Sequence, residues 1–559
     1  MGTGILGIAV SGLNAAQAGI RTTQQNIANV NTAGYRRQEV LQSSQLPQYS
    51  GYGYIGNGVA LDQVRHQYSR FLDNEVLLNQ SQYSRYDAAA TRSAMVDKLL
   101  GGANTGLNTS LSQFFAAVQE VANDPASSAS RQNLLSAGQN LAGRFNSLAG
   151  QLRDYRTATN NEIQALTTNI NVLAGQIAQA NASIAQSRAA NGQPANDLVD
   201  ARDQLVEDLS KLVDVSRLDQ QDGTADIFIG GQALVLGLSI YKLNLVQSAS
   251  DPAAYDPAIS QQSQRYSAVM SDPTSRVVAA GVSSLVNQVS GGELGGALDF
   301  RDSVLLPALR DLDRIALVTA SAVNNVHRGG LDYNLAAAGD FFANPVAPQG
   351  ATTGVLNMTV TDDSLLDPVG YDIALGAGGY TVTVLSTGTA TTYANLAALN
   401  AAGLGFTLAA GAPAPAVGDS WRIADTARQM DVAITSTNQI AAAGAGSTGP
   451  GDNRNALALG ALQTAALLNF SGGAFTDSLG AAYNKTVNRT ASQAAQADFN
   501  REAFKTLRES AVDARQSAVG VNLDEEAVNL VRYQQAYQAA ARTIQIASSL
   551  FDELLNVVR

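Results

Sequence analysis

Leu6, Leu13, Ile20 and Ile27 recur at every seventh position, and Ala9, Ala16, Thr23 and Val30 recur three places after each. Rows offset by three and four residues share one helix face, so the spacing predicts an a/d seam over four heptads. The pattern stops at Asn31-Thr32-Ala33-Gly34, where Gly34 suits a left-handed cap. The far end repeats the arrangement. Leu523, Leu530, Tyr537, Ile544, Phe551 and Val558 keep sevenfold spacing, and Tyr533, Ala540, Ala547 and Leu554 fill the row three later. No Gly or Pro interrupts 522–559, and Asn522 followed three later by Glu525 reads as a capping box. Both ends are expected to be helices built to pack against helices. Leu6, Leu13, Ile20, Ile27, Leu523, Leu530, Tyr537, Ile544, Phe551 and Leu554 form the expected subunit-packing seam.

The middle is mixed. Leu134, Leu141 and Leu148 keep one heptad phase, while Ile163, Ile170, Ile177 and Ile184 keep another. The shift near Tyr155 reads as a stutter in one helix or as a break between two. Leu298, Leu305 and Leu312 mark another helix ending near His327, and 456–468 and 491–518 also carry helical patterns. Around 217–290, Ile227-Phe228-Ile229 and 233–236 flank Gly230-Gly231, a hairpin signal. Around 331–431, runs such as Tyr380-Thr-Val-Thr-Val384 alternate apolar and polar residues between Gly-rich turns. The expected fold is mainly α with inserted β domains. Terminal helices form a coiled-coil-like bundle, a long helical body follows, and two β-rich regions lie at the outer end.

The corresponding domain layout has seven stretches. Residues 1–45 and 516–559 are the halves of a terminal helical domain. Residues 46–216, 292–330 and 432–515 build the helical body. Residues 217–291 form one β-rich domain, and 331–431 form an inserted outer β domain.

Composition narrows the chemistry. Charged residues are only 15% of the 559, against roughly 25% in an ordinary globular domain. Net charge is −12, which disfavours nucleic acid or an anionic membrane as partner. The absence of cysteine excludes disulfides, thiolate metal sites and thiol nucleophiles, and two histidines leave little for acid–base work. The apolar Ile5, Leu6, Ile8 and Val10 precede the first basic residue, Arg21, so no cleaved secretory signal is expected. Arg36-Arg37 lacks the apolar stretch a twin-Arg signal needs. No apolar run reaches the ~20 residues of a membrane span.

Other motifs carry no chemistry. Gly51-Tyr-Gly53-Tyr-Ile-Gly56 matches a dinucleotide fingerprint in spacing, but it leads into an extended pattern at 59–64 rather than a helix. His66 and His327 lack zinc-ligand spacing and read as surface or capping residues. Asp524-Glu525-Glu526 reads as helix-start charge complementing the dipole. These residues supply no catalytic set and no cofactor or metal site.

The missing charges are more informative. Arg21 is the only charge before Arg36, and 530–550 holds only Arg532 and Arg542. Solvated coiled coils line their flanks with Glu and Lys. Here the flanks are Ala, Gln, Asn, Ser and Thr, which permits packing on several sides without burying charge. Glycines at 2, 4, 7, 12 and 19 each cost ~1 kcal/mol of helix propensity, so the N-terminal helix is expected to fold on assembly.

Ser11-Gly-Leu-Asn-Ala-Ala-Gln17 and Asn26-Ile-Ala-Asn-Val-Asn-Thr-Ala-Gly-Tyr35 resemble the N-terminal signature of the rod, hook and first hook-associated proteins, the axial proteins of the bacterial flagellum. Tyr54-Ile-Gly-Asn-Gly-Val59 leading to 68–71 resembles the segment after it. Val521-Asn-Leu-Asp-Glu-Glu526 and Tyr533-Gln-Gln-Ala-Tyr-Gln-Ala539 resemble the matching C-terminal motif. Asn324-Asn-Val-His-Arg-Gly-Gly-Leu-Asp332, Gly339-Asp-Phe-Phe342 and Leu550-Phe-Asp-Glu-Leu-Leu555 extend the likeness to the hook-associated protein 1 family. The resemblance implies a structural, non-enzymatic subunit that assembles into a tubular ring or helical layer joining hook to filament. It implies flagellar hook protein and hook-associated protein 3 as neighbours. It also implies an export chaperone at the C-terminal helix, and an extracellular place reached through the flagellar type III route. A hook or distal-rod protein, or a surface adhesin or enzyme acting through 331–431, are the alternatives.

Overall fold

The structure is a computed structural model that describes every residue except 1, 33, 50–52, 103–105, 192–194, 249–254, 261–281, 285–287 and 559, with backbone alone at 2–3, 191, 247, 260, 282–284 and 554–558. Helix α1 (Gly2–Ala28) leads into a hairpin arm of β1 (Gln38–Ser44), β2 (Gln48–Tyr49), β3 (Tyr54–Ile55) and β4 (Val59–His66). The arm pairs β1 with β4 and β2 with β3, both antiparallel. Residues 59–64 are extended and not the helix that a dinucleotide fingerprint requires, and Gly51 and Tyr52 lie outside the described residues.

The body follows as α2 (Arg70–Gly101), α3 (Leu107–Asn123), α4 (Ser128–Asn191) and α5 (Asn196–Leu212). The phase shift near Tyr155 is not a break, because α4 runs unbroken through 64 residues. It marks a change of partner. Leu134, Leu141 and Leu148 pack in a core with α2, α3 and the later helices, whereas Ile163, Ile170 and Ile177 pack in a second core with α5 and the first β region. One helix thus belongs to two cores, and its apolar stripe rotates where it crosses from one to the other.

That β region is an antiparallel sheet of β5 (Ser216–Asp219), β6 (Ala225–Ile229), β7 (Gln232–Leu236) and β8 (Ser239–Ile240), beside β9 (Leu243–Gln247), β10 (Tyr255–Ser260) and β11 (Val282–Ser284). The expected Gly230-Gly231 hairpin joins β6 to β7. The chain returns through α6 (Gly292–Asp299), a π-helical turn (Phe300–Leu305) and α7 (Leu306–Arg328). The π-helical turn ends just before Pro307, the second residue of α7.

β12 (Gly330–Leu331) then opens the second β region, with β13 (Ala347–Pro348), β14 (Leu356–Val360), β15 (Tyr371–Gly376), β16 (Gly379–Val384), β17 (Ala390–Tyr393), short α8 (Leu396–Asn400), β18 (Phe406–Ala410), β19 (Ser420–Ile423), a turn of helix α9 (Thr426–Gln429) and β20 (Ala443–Gly444). A five-stranded sheet β13-β19-β15-β16-β17 and the β14-β18 pair enclose Trp421, Tyr371 and Phe406. Its entry and exit are tied together: β12 pairs with β20, and Ala343 N–H donates to Asp431 C=O at 2.7 Å. Phe341 and Phe342 lie within the stretch expected to be an outer domain, yet they pack in the helical core. Helices α10 (Arg454–Ala461), α11 (Leu479–Val519) and α12 (Leu523–Val558) complete the chain. Helix α10 stops short of the expected 456–468 pattern, and 466–477 folds back on itself through paired backbone bonds between Leu468 and Asp477.

Both histidines differ from expectation. His327 is fully buried, with Nδ1–H donating to Gly339 C=O at 2.7 Å and Nε2 accepting from Ala441 N–H at 2.9 Å. It clips the base of the insertion to the end of α7. His66 is largely buried at the arm's end, 3.4 Å from Asp200. At His327 both ring nitrogens are satisfied, a pattern that spacing alone does not reveal.

Candidate functional site

The two terminal helices pack antiparallel. Gly12 faces Ala540, Gly19 faces the Tyr533 ring, and Asn26 faces Glu526, so each step of seven forward in α1 meets seven back in α12. At Gly19 an added Cβ would stand 2.6 Å from the Tyr533 ring, which is why no larger residue fits there.

The contact row in α12 is therefore Tyr533, Ala540 and Ala547, while in α1 it runs through Gly12, Gly19 and Asn26, with Ala9, Ala16 and Thr23 buried alongside. These contacts lie within the chain, and the residues of the expected subunit-packing seam flank them. Leu6 is 41% exposed, Leu523 50%, Tyr537 37% and Phe551 53%, and Leu13, Ile20, Ile27, Leu530 and Ile544 are half-buried. The Leu554 side chain lies outside the described residues. Small residues let two helices approach closely, and the large ones are left flanking the contact. Ile5, Ile8, Val10, Val528, Val531, Ile546 and Leu550 are exposed as well.

The arm lies against this pair. Gly58, at φ +99°, sits where a Cβ would meet Ser11 Oγ at 2.2 Å, and Val59 N–H donates to that oxygen at 3.2 Å. Asn26 locks the other end of the arm. Its amide donates to Gln38 C=O and accepts from Gln38 N–H, both at 2.9 Å, and the Tyr35 hydroxyl donates to the same oxygen. Helix α1 ends at Ala28, and Gly34 takes its positive φ (+77°) six residues later, in the turn that aims Arg36 and Arg37.

Those arginines make the joint between terminal pair and body. Arg37 Nε donates to Glu526 at 2.7 Å and Nη1 to Glu525 at 2.8 Å, while its N–H donates to Val519 C=O. Glu526 is buried and also accepts from Asn26 at 3.1 Å. Glu525 is thus an arginine partner rather than half of a capping box. Asn522 caps α12 by accepting from Asp524 N–H.

Arg36 turns inward. It donates to Asp203 at 2.5 Å and to Asp73 at 3.0 Å, with Asp200 at 3.9 Å. Burial opposes its charge, but these carboxylates raise its pKa. Burial likewise pushes Asp203 up, and Arg217, Arg202 and Arg36 outweigh it, holding the carboxyl down at about 2. Arg515 from α11 pairs with Glu207 at 2.8 Å and closes the joint around a polar cavity of about 230 Å³. Residues 26, 35–37, 73, 200, 203, 515 and 526 come from six separate segments. Among the described residues no cluster of three or more His, Cys, Asp or Glu is set to hold a metal ion, and no helix is long and apolar enough to cross a membrane.

The structure thus brings the N-terminal signature, the Gly58 segment and the C-terminal signature into one site. Comparison with known proteins agrees with that convergence. The C-terminal part, residues 515–557, matches the description "Flagellar basal body rod FlgEFG protein C-terminal", and 93–342 matches "Flagellar hook-associated protein FlgK helical domain". The chain is 32% identical to flagellar hook-associated protein 1 of Escherichia coli K12, over 98% of each chain. This chain belongs to the hook-associated protein 1 family. A family member of that name from Bacillus subtilis is 26% identical over 97% of this chain and 96% of its own. The hook junction protein FlgK of Burkholderia pseudomallei shares the fold, with TM-score 0.61 over 79% of this chain and all of that one, at 22% identity.

In this hook-associated protein 1 family member, sequence reasoning missed the joint. In the sequence, Arg36-Arg37 reads against an export signal, and Asp524-Glu525-Glu526 reads as helix-start charge with Glu525 in a capping box, so nothing there pairs the two. The signal that could have found them is charge rarity: in uncharged terminal segments, a basic pair and an acidic trio each bordering a signature motif call for one another.

Proposed function

We propose that the chain is a structural, non-enzymatic subunit that self-assembles at the junction between hook and filament. The observation that carries this reading is the terminal pair. Its helices are joined by a closed ion-pair joint, yet they leave large apolar residues exposed on both helices, from Ile5 to Val10 and again from Val528 to Phe551. Exposed apolar surface on that scale marks protein contacts, and nearly uncharged flanks allow further copies on several sides. The half-buried seam residues Leu13, Ile20, Ile27, Leu530 and Ile544 border those contacts in a ring or helical layer.

Flagellar hook protein on one side and hook-associated protein 3 on the other are the axial neighbours. An export chaperone covers the C-terminal helix before assembly, and the chain leaves the cell through the flagellar type III route. The β insertion faces outward. The test is the position of labelled protein on isolated flagella. Label confined to the hook–filament boundary is the expected result, and label along the hook or the rod would replace this reading with the hook or distal-rod alternative.

A further inference from the structure

The base of the β insertion is a slender attachment. β12 and β20 pair through Gly330, Leu331, Ala443 and Gly444, and Ala343 meets Asp431 nearby. A domain tied to a body at one such point is free to hinge on it. This one is tied again near the start of α7. Asp363 lies in the loop between β14 and β15, and its side chain is fully buried against the body. Its Oδ2 accepts from Asn469 N–H at 2.8 Å and its Oδ1 from Phe470 N–H at 2.7 Å, with Arg314 Nη1 3.4 Å away.

We propose that Asp363 bolts the outer β domain to the start of α11, so that the domain rides on the body at a fixed angle instead of hinging at its base.

Both sides of the bolt are held in place. On the body side, Asn469 sits in the left-handed region at φ +55°. A residue there helps turn successive N–H groups toward one point, as in an anion nest, and the anion is a side chain of the insertion. The nest is fastened to α11 in turn. Leu468 and Asp477 close the fold-back around it, and the Asp477 carboxylate accepts from the Asn469 amide and pairs with Lys485 at 2.6 Å. Ser478, next in the chain, caps α11. Arg314 extends the network to Asp311 at 3.3 Å, which accepts from Thr486 at 2.9 Å and Arg489 at 2.6 Å, both on α11. On the insertion side, Thr361 and Asp362 N–H groups donate to Gly405 C=O, and Asp367 accepts from Val369 and Gly370 N–H. A carboxylate on so fixed a loop gives up little freedom in meeting two fixed donors, and a charged acceptor makes the stronger hydrogen bond.

Two attachments set an angle that one cannot. Arg314 beside the bolt and His327 at the base are about 20 Å apart along α7. Between them Ser321 donates to Met358 C=O at 2.8 Å, and Leu317 enters the core of the insertion. The insertion therefore lies along α7, and the helical body sets which face it turns outward.

The chain has no cysteine, so Ala390→Cys on β17 and Ser492→Cys on α11, both exposed positions, take spin labels there alone. Pulsed electron spin resonance of the full chain should give one narrow distance. Asp363→Asn keeps the size of the side chain but sets an amide NH2 against a backbone N–H. The distance distribution should then widen about twofold or more, while emission from Trp421, inside the insertion, stays unchanged. A broad distribution in the parent overturns the proposal. So does a variant whose distribution stays narrow, even if its melting point falls, because Asp363 would then stabilise a loop without setting an angle. Should the variant fail to fold, hydrogen exchange in the parent decides. The Asn469 and Phe470 amides should exchange about a hundredfold or more slowly than open loop amides, and unprotected amides there refute the bolt.

Discussion

His327→Gln is expected to cost stability at neutral pH and to cost nothing in mild acid. The imidazole is fully enclosed at the junction of α7, the Phe341 ring and the 440–443 segment, and one of its nitrogens donates while the other accepts. Burial holds its pKa at about 4, with Arg328 and Arg131 nearby acting in the same direction and the Gly339 bond opposing them. An unfolded histidine titrates near 6.5, so the folded state binds its proton about 2.5 units more weakly. The sign is that of a depressed base: its contribution is present above about 6.5 and is lost as pH falls toward about 4, by about 3 kcal/mol. Structurally, a proton on Nε2 would point at the Ala441 N–H, donor against donor.

Glutamine cannot titrate and can satisfy one of the two backbone partners, leaving one buried polar group unpaired at about 1–3 kcal/mol. The difference between parent and variant should therefore be about 2 kcal/mol near pH 7.5 and should vanish or reverse near pH 4. Urea unfolding followed by far-UV circular dichroism reads the helical body, and the single tryptophan, Trp421, reads the inserted domain separately. Parallel pH profiles for parent and variant would show that His327 is not held neutral, and the reasoning would fail.

Glu526→Ala removes the shared partner of Arg37 and Asn26 from a buried position and should loosen the terminal pair by about 2 kcal/mol, seen as faster tryptic cleavage after Arg37 with the body's melt unchanged; an unchanged cleavage rate would sink it. Ile544→Asp, half-buried beside the helix contact, should block junction formation while the body melts as before, and complete junctions in cells would remove Ile544 from the packing seam. Replacing 345–424 with a short Gly/Ser linker should leave filaments attached, because Ala343 and Asp431 already meet; stable, exported variants without filaments would put the insertion in the subunit contacts. Cutting at 332–426 instead should destabilise the body, since it strips Phe341 and Phe342 from the helical core.

Helices and hairpins were legible because their periods are local. The sevenfold rows at 134–148 and 163–184 located α4, and Gly230-Gly231 located a turn. What was not legible was partnership. Whether α4 broke at Tyr155 depended on two separate cores, and the bounds of the β insertion depended on where Phe341, Phe342 and Met430 pack. The joint was hidden for the same reason: Arg36, Asp73, Asp203 and Arg515 are scattered along the chain and carry no common motif.

The terminal seam shows what a hydrophobic pattern can and cannot say. Its sevenfold period was real, since Gly12, Gly19 and Asn26 meet Ala540, Tyr533 and Glu526 at that spacing. The row of large residues, however, is not the row of contact within the chain. Close approach of two helices needs small side chains at the line of contact, and a reading by hydrophobicity passes over glycine and asparagine. Leucine and isoleucine lie to either side, and burying them fully would require a third helix that the described residues do not supply there. A sequence selected only for a stable two-helix pair gains nothing by keeping Leu6, Leu523 and Phe551 on its surface. A sequence selected to tile copies side by side needs them on that surface, so the mismatch between apolar row and contact row is itself an argument for assembly.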